Sequence, residues 1–232
     1  MPKHSAPAAP ARTRRWALPF VAVGLLTAVT ACSGVTGSGV TGSGSPRTES
    51  RDVSGFSTIE LSGGGNLIIE QSGTESLSIE AEDNLLSDLT SEVANGTLRL
   101  GTEDGVTLAP TLPVTYRVTV EELAGLQLSG SGSVTAAGIA APAISIDIRG
   151  SGDVTVSGTA DTQTVTISGS GDYRGIDLIS RHSSAEISGS GNVAVTALDV
   201  LDAEISGSGT ATYTGNPRIT QRISGSGQLH RD

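Results

Sequence analysis

Hydrophobic and polar residues alternate along most of the chain after residue 50, and the alternating segments lead into glycine-serine units. From Ser129 onward the units are 20, 19, 20, 18 and 18 residues apart. A regular period of this length is typical of a solenoid, in which each repeat forms one coil that stacks on the last. The motif SGSG starts at Ser129, Ser168, Ser188, Ser206 and Ser224, with the variants RGSG at Arg149 and SGGG at Ser62.

The apolar residues keep fixed positions relative to these units. Aliphatic residues stand one and three places before the unit in nearly every repeat, as Ile148 and Ile146 do before Arg149. A second alternating segment begins five residues after the start of the unit, as at Val154 and Val156. Alternation with a period of two predicts strands with one buried face. Each coil is therefore expected to run strand, SGSG corner, strand and a more variable return.

This pattern predicts an all-β fold, a parallel β-helix with coils of roughly 18–20 residues whose strands pair from coil to coil. The corners need backbone conformations, including positive φ, that glycine adopts at little steric cost. A single coil buries too little apolar surface to offset its conformational entropy, so the array depends on stacking. The few aromatic residues of the mature chain, Phe56, Tyr116, Tyr173 and Tyr213, suit a narrow aliphatic core.

Residues 72–122 repeat less regularly. Strands are predicted for LSIEA (77–81), GTLRLG (96–101) and VTYRVTV (114–120), and a turn is predicted at Asn95-Gly96. The segment DNLLSDL (83–89) predicts a short helical turn capped by Asp83. We expect this region to continue the helix with longer coils and to cap its N-terminal end. The charged end QLHRD suits an exposed last edge.

Residues 1–31 predict an export signal. Basic residues but no acids precede residue 16, and the uncharged, mostly apolar run 16–30 is shorter than the roughly 20 residues needed to span a membrane. The pair Arg14-Arg15 suggests the twin-arginine route, but Ala17 stands where that motif has a large apolar residue, so the export route stays open.

The segment Val29-Thr30-Ala31-Cys32 resembles the lipobox of bacterial lipoproteins, whose cysteine becomes the lipidated first residue. Cys32 is the only cysteine of the chain, which favours lipidation over the alternative of an ordinary signal peptide with an incidental cysteine. Two or more acyl chains hold a protein stably on a membrane. We therefore expect an anchor on the extracytoplasmic face of the cell membrane, a lipidated Gly/Ser-rich linker over residues 32–48 and a β-helix domain over residues 49–232.

The charge of the mature chain argues against several partners. Four of the 14 Lys and Arg residues precede Cys32, so ten remain against 24 Asp and Glu, a net charge of −14. Such a chain repels phosphate backbones and anionic headgroups, so no nucleic-acid partner is expected. We expect a monomer without a cofactor, with a glycan or a protein as possible ligands.

Polar residues recur directly after the corners. If the coils stack in register, Asp153, Asp172 and Asn192 form a column of oxygens. Asp153 and Asp172 are weak metal candidates, because Ca²⁺ needs six to eight oxygen ligands and caps for exposed amides explain the column more simply. Charged groups that a polysaccharide-acting enzyme could use, for which a solvated face with ordinary ion pairs is the favoured interpretation, are Asp147, Arg149, Asp153, Arg174, Arg181 and His182.

The order of several segments carries a resemblance to a known family. The segment VSGFSTIELSGGGNLIIEQ (53–71) is followed by DNLLSDLTSEVANGTLRLG, then by VEELAGLQLSGSGSV, and then by the SGSG repeats. This arrangement resembles the bacterial head GIN domain, a domain of unknown function labelled an auto-transporter adhesin, over about residues 50–230. The resemblance implies a right-handed parallel β-helix. An autotransporter needs a C-terminal membrane barrel, for which residues up to Asp232 give no pattern.

These observations favour a non-enzymatic cell-surface lipoprotein that presents a rigid β-helix for adhesion or ligand binding in the cell envelope. No catalytic residue is predicted. The alternative is an enzyme acting on envelope or extracellular polysaccharide, which would use an acidic patch along the helix. Sensing or stress signalling at the envelope is a third possibility that no residue pattern favours.

Overall fold

Parallel pairing between segments one repeat apart builds a β-solenoid of about five turns, as the sequence predicts. The computed structural model describes residues 39–232. A short 3₁₀ helix, Leu86–Asp88, lies between the fifth and sixth strands. In chain order the strands are β1 Val40–Thr41, β2 Pro46–Arg51, β3 Thr58–Gly63, β4 Asn66–Gln71, β5 Ser76–Glu82, β6 Leu89–Ala94, β7 Thr97–Thr102, β8 Leu108–Ala109, β9 Thr115–Val120, β10 Gly125–Gly130, β11 Ser133–Gly150, β12 Asp153–Gly169, β13 Asp172–Gly189, β14 Asn192–Gly207, β15 Thr210–Thr214, β16 Arg218–Gly225 and β17 Gln228–Arg231.

Each regular coil presents three faces. The first face contains residues 125–130 and their register partners, the second contains residues 133–136 and theirs, and the third contains residues 139–144 and theirs. Strands β11 to β14 each run through a whole coil without interruption. The return is also a paired sheet, with inward residues such as Ile139, Ile144 and Leu201. It is the more variable part of the coil, as predicted, because the register shifts between β11 and β14 all fall within it.

The predicted inward columns are present and form the core. In the first face, Ile148 lies between Leu128 and Ile167, and all three are fully buried. Ile223 continues this column in β16 and is 41% exposed, because no further coil of the described chain stacks on it. The core of the solenoid is therefore covered by neighbouring coils rather than by a second layer of structure.

The two glycines of each corner are required for different reasons. Gly169 has φ +135°, and a Cβ there would lie 2.3 Å from the carbonyl oxygen of Gly150, one coil earlier. At Gly171 a Cβ would lie 2.4 Å from the carbonyl oxygen of Gly152 and 2.8 Å from Cγ2 of Ile148. The first position thus needs a left-handed backbone as well as space, whereas the second needs space between the backbone and the core.

The N-terminal region is not the set of longer parallel coils that the sequence predicts. β3 and β4 pair in parallel with β7 and β9, but β5 pairs antiparallel with both β2 and β9, and β6 pairs antiparallel with β7. The predicted Asn95-Gly96 turn closes the β6–β7 hairpin, and Asn95 has φ +52°. This hairpin turn reverses the chain where a solenoid corner would continue it. The β2–β5 and β5–β9 pairs instead join strands that are not consecutive along the chain.

Two further expectations for this region differ from the structure. The 3₁₀ helix has Leu85 at its N-cap without a side-chain hydrogen bond, so Asp83 does not cap it. Instead the Ser43 hydroxyl donates to Asp83 at 2.5 Å. Residues 39–48, assigned to the linker from composition, contain β1, which pairs with β8, and the start of β2. The paired part of the chain therefore begins before the predicted boundary at residue 49.

Candidate functional site

A ladder of polar side chains lies on the second face, directly after the corners. Asp153, Asp172 and Asn192 are register partners in β12, β13 and β14, as predicted. The Asn192 amide donates to Asp172 Oδ1 at 2.8 Å, while the Arg174 guanidinium lies 3.1 Å from Asp172 and 3.7 Å from Asp153. Both weak metal candidates thus contact a cation or an amide donor. Within residues 39–232, no three His, Cys, Asp or Glu side chains form a group that could hold a metal ion.

A shallow groove of about 400 Å³ lies beside this ladder. Its lining combines the charged Asp172 and Arg174 with the Asn192 amide and with aliphatic surface from Ile176 and Ala194. Ile176 is 39% exposed and so presents apolar surface to the groove. The groove therefore offers hydrogen-bonding groups and apolar surface at fixed positions on paired strands.

The other charged residues named from the sequence are not brought together. Arg149 pairs with Asp147 on the first face, and Arg181 pairs with Asp199 on the third face at 2.9 Å. Arg174 lies on the second face. Since these pairs stand on three faces, they do not form one cluster of acid and base groups.

Sequence reasoning missed a buried polar cluster in the core. The Gln163 amide donates to the hydroxyls of Ser180 and Ser183 at 2.8 and 2.9 Å, and its oxygen accepts from the Tyr173 hydroxyl at 3.1 Å. The Ser180 hydroxyl also donates to the Thr196 carbonyl at 2.8 Å. Burial raises the pKa of Tyr173 far above its ordinary value, so it remains a neutral donor. The only sequence signal was polar residues at inward positions of the return, which composition alone does not distinguish from a loop.

The N-terminal cap, defined here as residues 39–124, contains a cavity of about 490 Å³. The segment between β7 and β9 forms much of the cavity wall, and two prolines restrict its backbone. No charged side chain lines the cavity. The lining residues are Gly64, Gly65, Asn66, Leu89, Thr102, Val106, Thr107, Leu108, Pro110, Pro113, Val114 and Tyr116.

Tyr116 connects this cavity to the core. It occupies the same inward column as Tyr173, through the register partners Leu67, Val134 and Val154, and it is 1% exposed. None of the side-chain hydrogen bonds within residues 39–232 involves the Tyr116 hydroxyl, whereas that of Tyr173 donates to Gln163. Burial raises the pKa of Tyr116 to about 12, partly opposed by the charge of Arg51. Tyr116 is thus neutral at physiological pH.

Arg51 lies near this cavity, but its guanidinium is engaged elsewhere. It donates to the Leu86 carbonyl at 2.9 Å and to the Leu89 carbonyl at 3.4 Å. It also pairs with Glu49 at 2.5 Å. Its buried Nε touches the Glu49 carboxylate without making a well-aligned hydrogen bond, so the charge beside the cavity is balanced only by a carboxylate on the same strand.

A buried carboxylate holds the first residues of the cap. Glu82 is fully buried and accepts from the Gly44 amide at 2.6 Å and from the Thr111 amide at 2.8 Å, as well as from the Thr111 hydroxyl. A Cβ at Gly42 would lie 1.9 Å from the Glu82 carboxylate. The Thr111 hydroxyl bond, together with the backbone donors, lowers the pKa of Glu82 although desolvation opposes this. We name these contacts, with those of Ser43 to Asp83 and Asn84, the clasp.

The predicted lipidation site, Cys32, lies outside the described residues, as does the signal segment 1–31. In the part of the chain that the structure describes, no helix is long and apolar enough to cross a membrane.

Solved bacterial structures share this architecture. A "putative lipid binding protein" from Parabacteroides distasonis is 26% identical, with a TM-score of 0.58, over 83% of this chain and 99% of the other. A "putative adhesin" from Bacteroides fragilis is 22% identical, with a TM-score of 0.71, over 84% of this chain and 100% of the other; it supports the fold alone. Among curated proteins, none shows significant sequence similarity to this chain.

The stacked coils and their glycine corners place the molecule in the class of parallel β-solenoids. The sequence profile described as "Putative auto-transporter adhesin, head GIN domain" matches residues 55–217. The chain belongs to this family, which confirms the resemblance seen in the sequence.

Proposed function

We propose that this protein is a non-enzymatic lipoprotein that displays a rigid β-solenoid on the extracytoplasmic face of the cell membrane for adhesion or ligand binding. The family description and the names of similar structures support a surface-exposed binding protein. The anchor would be the lipidated Cys32, and the folded part would act as a monomer.

The clasp bears on how far from the membrane the proposed lipoprotein would present its solenoid. Because residues 39–45 are held by β8, Glu82 and Asp83, the segment between Cys32 and the paired part of the chain is shorter than its composition suggests. Gly39 follows Cys32 by seven positions, and an extended chain of seven residue steps reaches at most roughly 25 Å. The cap would therefore stay near the membrane, and the long faces of the solenoid would remain accessible from the side.

The observation that carries the binding proposal is the polar ladder with its groove. Asp172, Arg174 and Asn192 hold one another in fixed positions on paired strands, so a ligand would not have to order them on binding. The adjacent Ile176 supplies apolar surface. Hydroxyl-rich chains such as glycans combine hydrogen-bonding edges with apolar ring faces, and such a groove complements both.

A glycan array probed with the Cys32→Ser chain tests this proposal. We expect saturable binding that Arg174→Ala reduces at least fivefold. Arg99→Ala is the matched control, because Arg99 pairs with Glu60 at 3.3 Å on the first face and lies outside the groove. The proposal would be wrong if no glycan binds, or if both variants bind as the parent does. Product release that disappears in Asp172→Asn would instead identify an enzyme.

The anchor has a separate test. In cells that express the natural chain, we expect the protein to partition with membranes into detergent, and the Cys32→Ser variant to appear in the soluble extracytoplasmic fraction. Unchanged partitioning of the variant would contradict lipidation at Cys32.

A further inference from the structure

The cap cavity differs in chemistry from the groove on the second face. Its wall contains aliphatic side chains from Leu89, Val106, Leu108 and Val114, and its polar lining is uncharged. At about 490 Å³ it falls within the size range of small-molecule sites, which are mostly apolar with a few polar groups. Because Asn66, Thr102 and Thr107 also line it, a ligand that fits this wall combines an aliphatic part with uncharged polar groups.

The Tyr116 hydroxyl adds a specific polar group. The Tyr116 hydroxyl makes no hydrogen bond within residues 39–232 and is not fully enclosed, so it is open to the cavity that Tyr116 lines. By contrast Tyr173, the same residue type in the same inward column, has its partner in Gln163. An acceptor atom on a ligand in the cavity would satisfy the Tyr116 hydroxyl.

We propose that the cap cavity binds an uncharged acyl lipid, with its aliphatic chain along the Leu, Val and Pro wall and an ester or hydroxyl oxygen accepting from Tyr116. A free carboxylate is disfavoured, because no cation lines the cavity and the nearby Arg51 is paired with Glu49. The proposal does not rest on the groove function proposed above, so either one can fail while the other holds.

Titration calorimetry of the Cys32→Ser chain with monolauroylglycerol, below its micelle concentration, tests the cavity. We expect saturable binding with one site per chain and clearly weaker binding of dodecanoate at neutral pH. Tyr116→Phe should weaken the affinity by about fivefold to tenfold, the loss of one hydrogen bond. Tyr173→Phe, which alters a hydroxyl away from the cavity, should leave the affinity unchanged.

A second pair of variants tests the location without touching the core. Val106 is partly exposed at the cavity, so Val106→Trp should fill it and reduce the affinity at least tenfold. Leu198→Trp is the matched control, because Leu198 is 48% exposed on the third face. The proposal would be overturned by no binding, by equal binding of dodecanoate, or by unchanged affinity in Val106→Trp.

An acyl chain attached to Cys32 carries the same chemistry as a free lipid. The titration is therefore repeated with the natural chain reconstituted in vesicles. Uptake by both forms would identify a free lipid as the ligand, whereas uptake by the Cys32→Ser chain alone would identify the protein's own acyl group as the occupant. Both results require the cavity to accept an acyl chain.

Discussion

The regular coils and the N-terminal cap solve the same packing problem in different ways, and the two buried tyrosines show the difference. In the coils, Tyr173 points into a cluster where Gln163, Ser180 and Ser183 satisfy its hydroxyl and one another. In the cap, Tyr116 occupies the equivalent inward position next to a cavity. Repeated inward side chains fill the interior of the coils, whereas the cap contains a cavity that a ligand can use.

Glycine has a different role in the two regions. In the coils, corner glycines approach the backbone one coil away, as Gly189 does at Gly169. In the cap, several glycines have positive φ but open space around the Cβ position, as at Gly105, where φ is +79°. The corner glycines of the coils are therefore fixed by stacking, whereas cap glycines such as Gly105 are fixed only by local backbone conformation.

The largest effect is expected from alanine at a coil corner. In Gly189→Ala the new Cβ would lie 2.3 Å from the Gly169 carbonyl oxygen, at φ +132°, so coils must separate. We expect a loss of more than about 3 kcal/mol in the free energy of unfolding, since strain and overpacking act together. Gly105→Ala should cost only about 1 kcal/mol, the conformational term alone. Chemical denaturation measures both, and equal losses would refute the distinction.

Removing the hydroxyl of each buried tyrosine should have a smaller effect on stability, and the effect should differ between Tyr173 and Tyr116. Tyr173→Phe leaves the Gln163 oxygen without its donor inside the core and should lower stability by about 1–3 kcal/mol. Tyr116→Phe removes a hydroxyl that has no partner in the described chain, so the ligand-free protein should change by less than about 0.5 kcal/mol. Denaturant unfolding of both variants checks this. A larger loss for Tyr116→Phe would mean that its hydroxyl is satisfied after all.

The sequence predicted the coils far better than the cap. Inward columns such as Ile148 and Ile167 and the glycine corners follow from a repeat that imposes one geometry on every coil. The polar cluster around Gln163 was not predicted, because its partners come from neighbouring coils at positions that break the aliphatic pattern. Hydrogen bonding between distant residues has no local signature.

Contacts between residues distant in sequence also determine the structure of the cap, so the sequence predicted the cap even less well. Val40-Thr41-Gly42-Ser43-Gly44 repeats the composition of the preceding VTGSG, so it reads as linker. What orders it is the carboxylate of Glu82, 38 residues from Gly44 along the chain. The polar ladder was predicted because Asp153 and Asp172 follow the repeat, whereas much of the cavity wall comes from the non-repeating segment between β7 and β9.

The smallest effect, confined to the cap, concerns the clasp and its dependence on pH. Hydrogen bonds from Thr111 and the backbone lower the pKa of Glu82 below its ordinary value of 4.5 in the folded chain. The stabilisation by Glu82 is therefore fully present above pH 4.5 and is lost as the pH falls through the lowered pKa. Glu82→Gln should reduce hydrogen-exchange protection of residues 40–45 most at neutral pH, and the difference from the parent should shrink on acidification. Glu80→Gln, an exposed change on the same strand, should match the parent throughout. A difference that stays constant down to acidic pH would show that the shape of the side chain, rather than its charge, holds the first residues to the cap.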